Sequence, residues 1–222
     1  VTAPAAIEAR SLYRFFRAGE EETLALRGVS MGVAGGELVV VVGPSGSGKS
    51  TLLACLAGLD EPDGGTVLVA GRRMSHRPEP ERTRMRARRI GVMSQSANLF
   101  DHLTVRANLA LVHAVAPTTG ALSPGDLLRQ VGLAERADAY PGELSGGEAA
   151  RAALAVALAG NPVVVLADEP TGELDSTTEA SVLALLVEAA RRGVAVVVAS
   201  HSPAVAAAAD RIVRLDDGRV AA

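Results

Sequence analysis

Apolar residues occur along this chain in two kinds of run, and their alternation sets the layout. Leu38-Val39-Val40-Val41-Val42, Val163 to Ala167 and Val194 to Ala199 are short, continuous and rich in β-branched residues. Runs of that length without polar alternation predict strands buried on both faces, as in a parallel sheet. Ile7 to Tyr13 alternates with polar residues and Leu24 to Val33 is a second strand-like stretch, closed by Gly35-Gly36. Thr66 to Ala70, Ile90 to Ser94 and Arg211 to Leu215 predict further short strands. Helical segments lie between them at 48–58, 177–192 and 203–209, while Gly19 to Glu22 and Asp60 to Gly65 read as turns. From Gln95 to about Asn161 the β-rich runs stop, and Thr104–Ala114, Pro124–Gly132 and Gly146–Ala159 predict helices. The expectation is an α/β fold with a mostly parallel sheet covered on both faces, interrupted by a helical lobe.

Composition narrows the function without changing this layout. The chain has 222 residues, 48% of them hydrophobic and 2% aromatic, enough for one domain with a sizeable core. A net charge of -3 argues against a nucleic-acid-binding polycation, so no nucleic-acid partner is expected. The one cysteine, Cys55, excludes an internal disulfide and is expected to be a small buried hydrophobe. Val1 to Leu12 lacks the basic start and apolar run of a signal peptide. The longest apolar stretch, Ala152 to Ala167, is broken by Gly160-Asn161-Pro162 and falls short of the ~20 residues a spanning helix needs. Any membrane role is therefore expected to come through a partner. Charge is uneven in one place: Arg72 to Arg89 holds eight arginines. That run reads either as a patch for nucleic acid or anionic lipid, or as a solvated helix face balanced by Glu79 and Glu81. His76, His102 and His113 are expected at the surface.

Candidate chemistry gathers at strand ends. Gly43-Pro44-Ser45-Gly46-Ser47-Gly48-Lys49-Ser50-Thr51 lies between a Val-rich strand and a helix and fits G-x-x-x-x-G-K-[ST]. Glycines let the backbone wrap a phosphate so that successive N–H groups point inward, and the helix start adds positive potential. Lys49 is the only lysine among 22 basic residues. It is a compact point charge suited to β- and γ-phosphates, while the Ser50 hydroxyl can ligate Mg2+. A second buried strand ends in Asp168-Glu169, two carboxylates at the sheet edge where open α/β sheets bind ligands. Asp168 is suited to hold Mg2+ through its water shell and Glu169 to polarise an attacking water. Gln95 and His201 also follow predicted strands, as candidates for a metal or water contact and a phosphate contact. Leu144-Ser145-Gly146-Gly147-Glu148 opens a helix. A capping box from Ser145 to Glu148 explains part of it, but the two glycines point to a second anion site.

In order and spacing these stretches resemble the nucleotide-binding subunit of ATP-binding-cassette (ABC) transporters over nearly the whole chain. Gly43–Thr51 resembles the Walker A motif, Gln95 the Q-loop, Leu144–Glu148 the signature, Val163–Glu169 Walker B, Glu173-Leu174-Asp175-Ser176 the D-loop and His201 the H-loop. Glu21–Ser30, Ala167–Ser176 and Ala209–Arg219 are similar to the macrolide-export and lipoprotein-release branch, to which cell-division cassettes are related. The resemblance implies a P-loop NTPase (RecA-like) core with a mostly parallel sheet, an N-terminal antiparallel β portion and an inserted helical subdomain. It divides a single domain, 1–222, into a catalytic core of about 1–94 and 160–222 and a helical subdomain of about 95–159. It implies ATP and Mg2+ as cofactors and Glu169, His201 and Lys49 as catalytic groups. Ser50, Gln95 and Asp168 would lie at the metal, and Phe16, with Tyr13 second, at the adenine.

The resemblance further implies an ATPase that works as a head-to-tail dimer. Leu144 to Glu148 of one copy would act in trans on the nucleotide of the other, with Asp175 at the seam. The second partner would be a membrane permease, and the location the cytoplasmic face of the membrane. Export is the favoured direction. The alternatives are a regulatory cassette that signals through a membrane partner without transport, and a soluble nucleic-acid-linked cassette. The chain departs from the family pattern in three places: Glu148 stands where Gln is usual, Ala149-Ala150 replace longer polar residues before Arg151, and Glu173 stands where Asn is usual. The two glutamates add negative charge near the expected triphosphate.

Overall fold

The computed structural model of the chain describes residues 5–18, 21–94 and 98–221. From the amino terminus, β1 (Ile7–Ala18), β2 (Glu21–Val33) and β3 (Leu38–Val42) are followed by α1 (Lys49–Leu56), β4 (Gly64–Val69), β5 (Arg72–Arg73) and α2 (Glu79–Arg89). Next come β6 (Ile90–Met93), α3 (Val105–Val115), α4 (Pro124–Gln130) and α5 (Gly146–Ala159), with short 3-10 turns at Ala134–Arg136 and Pro141–Glu143. The order closes with β7 (Val164–Asp168), α6 (Ser176–Arg191), β8 (Ala195–Ala199), α7 (Pro203–Ala207), β9 (Arg211–Asp216) and β10 (Arg219–Val220).

The strands form two sheets. One is antiparallel, in the order β2-β1-β4-β5. The other runs β10-β9-β3-β8-β7-β6, parallel throughout except for β10 on β9. The mixed α/β class expected from the hydrophobic pattern is therefore the one observed. The Val-rich strands sit in the middle of the parallel sheet because both their faces are covered. Val39, Val41 and Leu166 pack with Leu52 and Leu56 of α1 and with Leu12 and Val67 of the antiparallel sheet. Val40, Val165 and Val198 face the other way, onto Val182 and Leu186 of α6 and Leu154 of α5. Val105, Leu109, Leu127, Leu128 and Ala155 form a third cluster among α3, α4 and α5.

Two local expectations change. Glu21 and Glu22 belong to β2, with Ala18 opposite Glu21, because the strand pairing runs almost to the tip of the hairpin. His113 is half-buried, with Nε2 3.0 Å from the Ala159 carbonyl oxygen, since the C-terminal end of α3 packs on the end of α5. Cys55 is buried in the core cluster as expected, and burial pushes its thiol up to about 12.

Candidate functional site

Parallel strands deliver their carboxyl ends to one edge, and four of them meet at a cleft of about 600 Å3. The loop after β3 supplies Gly43, Ser45, Gly46, Gly48, Lys49, Ser50 and Thr51, and β7 ends in Asp168 and Glu169. His201 follows β8, and Asp217 and Gly218 turn from β9 into β10.

The glycine loop has its sequence for steric reasons. A Cβ on Gly43 would sit 2.0 Å from the Leu215 carbonyl oxygen, so only glycine lets the loop leave the sheet beside β9. Gly48 has φ 100°, and a Cβ there would meet the Ala25 carbonyl at 2.4 Å. This backbone starts α1 without a side-chain cap. By contrast, α3 to α7 all begin at a side-chain oxygen that caps a backbone N–H, from Thr104, Ser123, Ser145, Asp175 and Ser202. The uncapped first turn of α1 leaves donors and the helix dipole facing the cleft, the arrangement that binds anions. Lys49 folds across the loop, its Nζ donating to the carbonyl oxygens of Gly43 (2.8 Å) and Pro44 (3.1 Å). Pro44 and Ser47 complete the loop, with Ser47 N donating to the Pro44 carbonyl at 3.2 Å.

The acidic side is held just as specifically. Glu169 has φ 47°, a left-handed conformation that a non-glycine residue adopts at a cost. Its N–H donates to the Ala199 carbonyl (2.9 Å), which ties the end of β7 to the end of β8. Its Oε1 lies 3.0 Å from His201 Nδ1. A carboxylate only accepts, so Nδ1 carries the proton and Nε2 of the 72%-exposed imidazole is left for another partner. Asp168 Oδ1 and Glu169 Oε2 are both buried and have no hydrogen-bond partner among the described residues. Buried acceptors of that kind ordinarily have a partner.

Those orphaned oxygens test whether Mg2+ fits. Mg2+ takes hard oxygen donors, keeps several waters and uses one or two carboxylates plus substrate phosphates. Ser50 and Asp168 supply such a set in one cleft. Among the described residues no group of three or more His, Cys, Asp or Glu could hold a metal by itself, which suits an ion that arrives with phosphates. The residues fit. Gln95, the third expected contact, lies outside the described residues.

Phe16 lines the far end of the cleft and is 42% exposed. The Arg14 guanidinium lies 4.7 Å from its ring centroid. Arg14 is in turn clamped by Asp60 (2.8 Å) and Asp63 (3.0 Å), and the Asp60 contact raises the guanidinium pKa above its ordinary value. Tyr13, the second adenine candidate, packs on Gly28 and Gly64 and does not line the cleft.

The remaining candidates are elsewhere. Leu144, Ser145, Gly146, Gly147, Glu148 and Asp175 do not line the cleft. They form a second assembly. Ser145 Oγ accepts from Glu148 N (3.3 Å) and Glu148 Oε2 accepts from Ser145 N (2.9 Å). Glu148 Oε1 pairs with Arg136 Nε at 3.2 Å. The Ser145 N–H above all, with Arg136 and Arg151, holds the Glu148 carboxyl below the usual range. Its charge is thus turned back onto the helix cap. Gly147 packs on α6: a Cβ there would fall 2.1 Å from Thr178 Cγ2. Asp175 caps α6 through Thr177 N and Thr178 N, and its Oδ2 accepts from Thr178 Oγ1 at 2.6 Å.

The sequence reading gave no role to Arg27 and Asp217, which also line the cleft and pair at 2.8 Å. They are far apart in sequence and meet only because β10 closes against β2. The Asp-Asp-Gly turn after β9 was the available signal.

The family profile described as ABC transporter matches residues 26–172. An ABC transporter ATP-binding protein of Mycobacterium tuberculosis (strain H37Rv) is 42% identical over 209 residues, covering 92% of this chain and 84% of its own length. The macrolide export ATP-binding/permease protein MacB of Escherichia coli K12 is 37% identical over 96% of this chain. The chain spans 34% of that protein. Among solved structures, a dimeric post-hydrolysis state of the ATP-binding cassette MJ0796, bound to ADP and Pi, superposes with a TM-score of 0.89 and 35% identity, covering 97% of both chains. A glycine loop, an acidic strand end and a following histidine in one cleft, with that breadth of similarity, identify the chain as an ATP-binding ATPase cassette of the ABC transporter family.

Proposed function

We propose that this chain hydrolyses ATP as the nucleotide-binding subunit of an ABC exporter, as a head-to-tail dimer on a membrane permease. The observation that carries the catalytic part is the Glu169–His201 contact at the mouth of the phosphate loop. Residues 43–51 cradle the phosphates through backbone N–H groups, and Lys49 trades its loop carbonyls for β- and γ-oxygens. Phe16, steadied by Arg14, stacks on the adenine. Bound Mg2+ would neutralise charge on the β- and γ-phosphates, held by Ser50 and Asp168 with Gln95. Glu169 orients and polarises the attacking water; His201 fixes the Glu169 carboxylate and turns Nε2 toward the γ-phosphate.

Ser145, Gly146 and Gly147 complete the site from a second copy, with Leu144 and Glu148 shaping that helix start and Asp175 at the seam. Support comes from geometry: a second glycine-rich helix start lies outside the cleft of its own chain. The dimeric MJ0796 cassette is a precedent in a relative.

Among the described residues no helix is long and apolar enough to cross a membrane. In this proposal the cassette works on a membrane permease and sits peripherally on its cytoplasmic side. Its seat is an apolar groove of about 340 Å3 between β6 of the parallel sheet and helices α3 and α5, bordered by Ile90, Val92, Phe100, Val112, Val115 and Val156. Phe100 and Val115 are 53% and 68% exposed there. Residues 1–94 and 160–222 then act as the catalytic core. Similarity to the macrolide export protein MacB supports export as the direction. The decisive variant is Glu169→Gln: ATP turnover falls to background while ATP drives a stable dimer in size-exclusion chromatography. Undiminished turnover would remove Glu169 from the water-activating role.

A further inference from the structure

Seven of the eight arginines found in the sequence run resolve into two populations, and Arg73 belongs to neither. Arg77 pairs with Glu81, Arg82 with Glu61 and Glu79, and Arg86 with Glu79. These are neutralised by neighbouring carboxylates, and Arg82 and Arg86 are half-buried. Arg72, Arg84, Arg88 and Arg89 have no ion pair among the described residues and line one hollow of about 500 Å3. Arg72 comes from β5, the other three from α2, and the opposite wall from 117–119 and Asn161. The hollow has a single carboxylate, Glu81, and that one is engaged by Arg77 at 3.6 Å.

Ordinary helix electrostatics accounts for part of this. Arg88 and Arg89 lie in the last turn of α2, where cations complement the dipole. It does not account for Arg84, one turn before Arg88, since like charges at that spacing repel. Nor does it account for Arg72, which a different strand brings to the same hollow. Four guanidinium groups converging from two elements form a receptor for a carboxylate- or phosphate-bearing partner.

Position selects the partner. The hollow and the apolar permease groove share their walls. α2 turns Arg86 and Ala87 to the groove, where β6 adds Ile90, and Arg84, Arg88 and Arg89 to the hollow. The end of α3 gives Val115 and the following Ala116 to the groove and 117–119 to the hollow, and Gly160-Asn161 is divided the same way. An element seated in the groove therefore runs directly into the arginines.

We propose that the hollow receives an acidic stretch of the membrane partner, adjoining the apolar segment that fills the groove. This rests on the groove reading above and adds the chemistry of the segment: an apolar helix flanked by Asp or Glu. The apolar contact supplies affinity, and the charge supplies register and partner choice.

The test uses the full chain and two synthetic peptides sharing one apolar helix, one tailed Glu-Glu-Asp-Glu and the other Gln-Gln-Asn-Gln. The acidic peptide should bind about tenfold tighter at low salt, as expected for a few partly exposed pairs, and lose the advantage in high salt. Arg84→Glu with Arg88→Glu should erase the difference; Arg84→Gln with Arg88→Gln should reduce it. Both variants should keep wild-type basal ATP turnover, because neither residue lines the nucleotide cleft. Equal affinity for the two peptides overturns the acidic partner and leaves the groove standing. Failure of both peptides to bind overturns the groove reading as well. Capture on phosphatidylglycerol but not phosphatidylcholine vesicles, without preference for the acidic peptide, replaces the partner with a lipid surface.

Discussion

Glu148 illustrates how a charge that looks unfavourable in sequence becomes neutral in place. Its carboxylate accepts from the Ser145 N–H and pairs with Arg136, whose guanidinium also reaches the Glu143 carbonyl oxygen. Gln keeps an acceptor at the cap, so Glu148→Gln should leave the urea midpoint nearly unchanged, whereas Ser145→Ala should cost about 1 kcal/mol. A large loss in Glu148→Gln would mean that the Arg136 pair carries the loop. Asp175 gives the corresponding pH prediction. The Thr178 hydroxyl and N–H hold its carboxyl below the ordinary value. Its contribution is therefore complete above the ordinary range for Asp, about 3.9, and is lost as pH falls through the lower folded value. Asn caps equally well without titrating, so wild type and Asp175→Asn should unfold alike near pH 7. The mutant should gain relative to wild type on acidification, read as the difference in denaturant midpoint between pH 7 and pH 3. A constant difference would show that the cap does not titrate.

Between elements, the contact to watch joins the starts of α5 and α6. Gly147 is glycine because Thr178 occupies the space a methyl would need, with Cγ2 2.1 Å from the Cβ position. Thr178 cannot swing away freely, since its hydroxyl is committed to Asp175. Gly147→Ala should therefore destabilise by about 1–3 kcal/mol through overpacking, despite the better helix propensity of Ala. Thr178→Ser keeps the hydroxyl and removes the methyl, so the double variant should recover most of that loss. Additive losses in the four-member cycle would mean the two residues do not meet. The contact also bears on what sequence can reveal. Gly146-Gly147 was legible as something beyond a simple cap, because two glycines are poor helix formers. That one of them is a packing glycine was not, because Thr178 lies 31 positions away. The Val-rich strands were legible for the opposite reason: burial on both faces writes itself into every position. β5 and β10 escaped because two residues on a sheet edge carry no periodicity.

At the scale of the molecule, the two glycine-rich helix starts do not serve one site within a single chain. The start of α1 opens into the cleft, and that of α5 lies outside it, packed on α6. If the second is the other half of a composite site, lesions in the two halves should complement across chains. In a Glu169→Gln background, where ATP is held without turnover, Lys49→Ala should stay monomeric with ATP, because the cleft loses its phosphate cation. Ser145→Arg should also stay monomeric, because a bulky cation blocks the α5 start. Mixed, the two should form heterodimers, since a two-fold arrangement then contains one site with both halves intact and one with both damaged. Tagging one partner and pulling it down with ATP reads the outcome directly. A mixture that remains monomeric while Glu169→Gln alone dimerises would mean that the two halves do not meet across the interface, and the composite site would fall. Recovery confined to the mixture would place the phosphate loop of one chain against the signature helix of another. The dimer itself would then be the enzyme's closed form, and opening and closing it the stroke delivered to the membrane partner.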